Sequence, residues 1–172
     1  MTDLQSTTGL ATGWLDRRVH HDLHPDAERA LRSAALCWHR ELEAEKHLAR
    51  ATELAGEHVA VLIANYRYRL YKHRFEEARQ AAVRCLALAA ARLAIPANFQ
   101  EIGAGHANFA SADPDVRFWL FTLQAYGYVS LRAGHAEEGR LALERLAALD
   151  TSDQTKTQIL LQVIARAGHS DD

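Results

Sequence analysis

Ten histidines among 172 residues are the first side chains whose chemistry asks for attention. His20, His21 and His24 form the densest cluster, with Asp22 between them. On a helix His20 and His24 would share a face at i, i+4, a spacing that can hold a metal. No third ligand follows at a matching spacing, so the cluster reads as a polar entry to the first helix and no metal ligand is assigned. His39 and His73 stand 34 residues apart, and so do His135 and His169. A histidine column along one edge is one reading, as a metal or pH-sensing feature; the favoured reading is that they sit at helix C-terminal ends, where a partly cationic side chain suits the dipole. Cys37 and His39 are two apart and cannot face one another on a helix, so they make no nucleophile–base pair. Cys85 lies on an apolar stripe as a small core residue. Glu76-Glu77 and Glu137-Glu138 open helices, where carboxylates are favoured, and are read as solvated starts rather than an acid–base pair. No G-x-S-x-G, P-loop or G-x-G-x-x-G is present, since Gly103-Ala104-Gly105-His106 lacks the third glycine. The expectation is a protein that is not an enzyme and holds no cofactor.

Charge and composition narrow the class of partner. The formal net charge is −2, which argues against nucleic acid as the partner, because phosphate neutralisation needs an excess of cations. No apolar stretch approaches the roughly 18 residues that span a bilayer. Met1 to Gly13 has neither a cationic start nor an apolar core, so it does not read as a signal peptide. A cytoplasmic protein without membrane contact is expected. Residues 1–13 read as a mobile tail, and Trp14 and Leu15 as the first anchors of a single domain over 14–172.

These residues must be positioned by helices. Ala30, Leu31, Ala34, Ala35 and Trp38 keep one helical face, as do Val59, Leu62, Tyr66 and Leu70, and again Ala78, Ala82, Cys85, Ala89 and Leu93. No segment alternates with period two for long enough to make a strand, so the fold class is all-α. Ile95-Pro96 stops one helix and Asp113-Pro114 starts the next, with Asp113 as N-cap. The loop between, at about 93–114, is long for a compact domain, and such loops are functional or disordered. Phe99, Ile102 and Phe109 give it apolar surface.

The helices also repeat. His39-Arg40 with Glu43-Ala44 recurs as His73-Arg74 with Glu77-Ala78, and Arg132-Ala133-Gly134-His135 recurs as Arg166-Ala167-Gly168-His169. Both offsets are 34 residues. On these residues the chain resembles the tetratricopeptide repeat family. The resemblance implies a TPR-like α-solenoid of about three helix-turn-helix repeats plus a C-terminal capping helix, Gln154 to Ala167. The third repeat, about Leu120 to Asp153, matches in Tyr126-Gly127, Gly134 and Gly139. The second, about Val59 to Arg92, keeps Phe75 and Ala78 but has Tyr66 where the family has a small residue. The first, about Pro25 to His58, keeps Ala44 but has Glu41 in the aromatic position. Gly56, Ala90 and Thr151 stand where the family closes a repeat with proline.

Carried onto this chain, the family's concave positions imply a partner-binding groove. Its candidate residues are Arg29, Ile63, Arg67, Tyr71, Gln124, Tyr128, Arg132 and Arg166. Arginine and tyrosine carry much of the binding energy at interfaces, and a cationic, aromatic groove suits a protein or peptide segment bearing acids. Phe99 and Phe109 can reach the same groove as a lid or an occupant, or pack the loop down as a structural element. The resemblance implies a non-catalytic adaptor or assembly factor, with a homo-oligomer compatible with it. A type III secretion-type chaperone of the same family is the alternative, and a histidine-based metal-handling protein is the alternative of another class. The run YKHRFEEARQAAVRCLALAAA from Tyr71 to Ala91 and the later RFWLFTLQAYGYV also resemble small repeat proteins encoded beside bacterial nitrogen-fixation genes. That resemblance implies an accessory role near nitrogenase assembly or electron supply.

Overall fold

The computed structural model describes residues 22–153 and 155–167, the last five by backbone alone. Trp14, Leu15, His20, His21 and His169 therefore lie outside the described residues, as does the side chain of Arg166. Among the described residues the chain is all-α. Its helices are α1 (Pro25–Leu36), α2 (Glu41–Ala55), α3 (Val59–Tyr71), α4 (Phe75–Leu93), α5 (Pro114–Arg132), α6 (Ala136–Leu149) and α7 (Thr157–Ala167), with one 3-10 turn, Phe99–Glu101, before α5. Short turns join α1 to α2, α3 to α4 and α5 to α6, a helical-repeat-like arrangement. No helix among the described residues is long and apolar enough to cross a membrane. The chain divides into two compact units, residues 1–65 and 66–172, and the division falls inside α3.

In the N-terminal unit α1 and α2 pack face to face. The residues they bury are mostly alanines, Ala27, Ala30 and Ala34 on α1 and Ala44 and Ala51 beside Leu48 on α2. Such small side chains let two helices approach closely. Pro25 sits at the first helical position, where its missing N–H costs nothing. His24 caps α1, its Nδ1 accepting the Asp26 backbone N–H at 3.2 Å. His58 does the same ahead of α3, accepting from Ala60 at 3.2 Å. This is a further pair at the 34-residue spacing.

The repeated His-Arg…Glu-Ala motif has a local physical meaning. Arg40 and Arg74 stand at the N-cap positions of α2 and α4, and neither side chain caps the helix. A cation at that end opposes the helix dipole. Each arginine instead closes onto the glutamate three residues on, Arg40 to Glu43 at 2.9 Å and Arg74 to Glu77 at 2.6 Å. His39 and His73 both lie in the turns that precede these helices, and His73 takes the left-handed conformation at φ 58°. His135 stands at the N-cap position of α6, so it belongs to a helix start rather than a helix C-terminus.

In the C-terminal unit α5 packs against both α4 and α6, and α7 packs on α6. Because it has neighbours on two sides, α5 buries Val116, Phe118, Trp119, Leu120, Leu123, Tyr126 and Val129. Each large apolar side chain so buried is worth roughly 1.5–3 kcal/mol. The α5–α6 crossing depends on two glycines. A Cβ on Gly127 would lie 2.8 Å from the Leu143 side chain, and one on Gly139 would lie 2.7 Å from the Gly127 carbonyl oxygen. α4 ends at Ala94, which is left-handed at φ 53° and returns its N–H to Ala90 and Ala91. Asp113 caps α5 as expected, its Oδ1 accepting from Asp115 at 2.8 Å and Val116 at 3.3 Å.

The inserted loop is a packed part of this core. Ile95, Phe99, Ile102 and Phe109 are all buried. Phe99 lies against Tyr126, ring centroids 5.8 Å apart, and Phe109 against Trp119 at 5.3 Å. Of the roles open to this loop from sequence, lid, occupant or packed element, the structure shows the packed one: both phenylalanines are core residues, because the apolar face of α5 extends to Trp119 and Tyr126. The last helix also starts later than expected, at Thr157. The link before it is clasped by the buried Asp150, which accepts the Thr155 N–H at 2.8 Å and its hydroxyl at 2.7 Å. Asp153 and Lys156 are left-handed in the same link, so the chain cannot enter a helix sooner.

Candidate partner-binding site

Two residues of the groove expected from sequence, Arg29 and Ile63, lie in the N-terminal unit. Arg29 is exposed and pairs with Asp26 on its own helix, and Ile63 is half-buried on α3. Arg67, Tyr71, Gln124, Tyr128 and Arg132 lie in the C-terminal unit, on the end of α3 and the second half of α5. Gln124 is engaged with the link to α7, its Nε2 donating to the Thr155 carbonyl at 2.6 Å.

The residues that demonstrably come together are Arg132, Tyr128 and Phe75. Phe75 opens α4 immediately after the α3–α4 turn, and Arg132 closes α5. The Arg132 guanidinium lies over the Phe75 ring, 4.3 Å from its centroid, a cation–π distance. Its Nη1 donates to the Tyr128 hydroxyl at 2.9 Å, one helical turn back. Arg132 is exposed, and among the described residues it has no carboxylate partner. Two aromatic side chains thus hold a cation in a fixed place with its charge uncompensated. Phe75 was read from sequence only as a repeat-pattern residue. Its place beside Arg132 depends on how two helices cross, which no spacing within either one reveals.

Tyr66 completes the aromatic side of the site. It is half-buried as a residue, and its hydroxyl donates to the Ala125 carbonyl of α5 at 3.4 Å. Burial pushes its phenol above the ordinary tyrosine range, and the neighbouring Tyr128 adds to the shift. This large residue, where the resembled family has a small one, therefore reaches α5. Tyr71, one turn further along α3, is 52% exposed. From His58 to Phe75 the chain carries no acid, while Arg67, Arg69, Lys72 and Arg74 fall within it. Arg69 and Arg74 are committed to Glu77, at 3.4 and 2.6 Å.

The paired acids stand in the first turns of α4 and α6, as expected of solvated helix starts, and most of them also reach beyond their own helix. Glu76 is shared by Arg79, at 2.9 Å, and by His135 across on α6, at 3.0 Å. Arg79 also reaches Glu138 at 3.3 Å, and Glu138 accepts the Tyr126 hydroxyl. These bonds tie the start of α4 to the start of α6. Hydrogen bonds from Arg79 and then His135 hold the Glu76 carboxyl down at about 2. Burial, then the bond to Glu138, pushes Tyr126 up to about 12. Only Glu137 keeps to its own helix, bonded to Arg140 at 2.5 Å. Cys37 and Cys85 are both buried free thiols, and burial pushes Cys85 up to about 12. Among the described residues no three of His, Cys, Asp and Glu gather as a metal would require. The site is an exposed arginine braced by two aromatic rings.

No family model matches the chain, and no solved structure matches it. A protein of Azotobacter chroococcum mcd 1, described as an uncharacterized 19.8 kDa protein in the nifW 5′ region, is 40% identical over 124 residues. That span covers 71% of this chain and 70% of the relative.

Proposed function

The chain belongs to the family of the 19.8 kDa protein from the nifW 5′ region, and from that premise we propose a non-catalytic adaptor or assembly factor that binds another protein. The observation that carries this reading is Arg132, exposed, held by Phe75 and Tyr128, and without a carboxylate partner among the described residues. A cation braced in advance loses little freedom when a partner's acid reaches it, and a planar guanidinium offers that acid two parallel donors. The binding face is the end of α3 with the second half of α5, where Arg67, Tyr71, Tyr128 and Arg132 stand, and the partner is a segment bearing acids and apolar anchors. The gene position in the relative's name supports a task attached to nitrogen fixation, which we read as an accessory one.

The test is capture of partners from an extract of the native cell, with R67E/R132E beside the natural protein. The double variant reverses the local field and is expected to lower capture by roughly tenfold or more, with unchanged circular dichroism. Equal capture by both proteins would move the site away from this face.

A further inference from the structure

Phe75 has a second neighbour. The His73 imidazole and the Phe75 ring form a T-shaped pair, ring centroids 5.6 Å apart and planes at 81°. One ring therefore touches both Arg132 and His73, which keeps the two side chains within about 10 Å of each other. His73 is exposed and sits in the left-handed turn residue between α3 and α4. Resting on the reading above, we infer that His73 makes the Arg132 site pH-responsive: protonated, it adds a second cation beside the bound acid and tightens the hold on an acidic segment.

The surroundings leave His73 as the group to do this. Lys72 and Arg74 flank it in the turn and stay charged throughout the relevant range. On α4, Glu76 is committed to Arg79 and His135, and Glu77 to Arg74 and Arg69. From α5 the facing groups are Tyr128 and Arg132, and neither changes charge near neutrality. The His135 imidazole at the start of α6 is engaged with the Glu76 carboxylate, 3.0 Å away. Imidazole is the side chain that gains charge between about pH 8 and about pH 5. Partly screened at this separation, one added charge changes affinity for a carboxylate by a fewfold.

The experiment measures binding of a rhodamine-labelled peptide of mixed Glu, Leu and Phe, and of its Gln-for-Glu counterpart, by anisotropy from about pH 7.5 to about pH 5.5. The natural protein is expected to bind the acidic peptide roughly threefold tighter at the lower pH, with H73N flat and H135N titrating like the natural protein. Asparagine is chosen because it tolerates the left-handed backbone of this turn. An H73N protein that titrates like the natural one, equal gain for the Gln peptide, or no binding of the acidic peptide at the lower pH would each overturn the inference. None of these touches the adaptor reading, which stands or falls on extract capture by R67E/R132E at neutral pH.

Discussion

Glu76 takes partners from two helices, Arg79 on its own and His135 on α6, and its carboxyl is held down at about 2. A carboxyl depressed in the folded state contributes stability that is present above its ordinary range. That contribution is lost as the pH falls from about 4.5 toward about 2. E76Q removes the titrating group, so its stability curve is expected to be flatter than the natural one across that window. Urea unfolding followed by circular dichroism at a series of pH values checks this, and equal slopes would show that the pair is inert. At the same scale, Arg132 and Phe75 were separately legible as a groove cation and a repeat-pattern aromatic. Their contact was not, since it joins residues far apart in the chain through the packing of α4 on α5.

Between α5 and α6 the two glycines decide how closely the helices approach. G139A gains about 1 kcal/mol of helix propensity. It also drives a Cβ to 2.7 Å from both the Gly127 carbonyl oxygen and the Leu131 side chain. Backbone cannot step aside as a rotamer can, and overpacking of this kind costs about 1–3 kcal/mol. A net loss on the order of 1 kcal/mol is expected, read as a lower urea midpoint with an unchanged slope. An unchanged or raised midpoint would mean that the crossing has slack. Helix boundaries were well marked in the sequence where a residue type acts locally, as with Pro25, the Asp113 cap and Gly134 at φ 91°. They were poorly marked at Thr157, whose start is delayed by the Asp150–Thr155 clasp, a contact between residues that no helical period relates.

For the whole molecule, the last helix is the part whose removal is most informative. α7 packs on α6, and Thr155 just before it supplies both donors to the buried Asp150 and the acceptor for Gln124. Deleting residues 154–172 uncovers α6 and leaves the Asp150 carboxylate without these donors. With each large aliphatic side chain worth roughly 1.5–3 kcal/mol, the truncated protein is expected to melt many degrees lower or to aggregate. A truncated chain as soluble and heat-stable as the full one would contradict the closing role of α7. By itself the sequence determined that the chain is helical, where the turns fall, that the motifs recur at 34 residues, and that a loop at about 93–114 interrupts them. All of these follow from side-chain periodicity, proline, glycine and capping residues, which act within a few positions of where they stand. Tertiary structure alone decided that the inserted phenylalanines are core, that Tyr66 reaches α5, that the paired acids link α4 to α6, and that Arg132 rests on Phe75 with no acid beside it among the described residues. Each of those is a contact between helices, set by crossing geometry and by which neighbour leaves room, and a one-dimensional pattern carries neither.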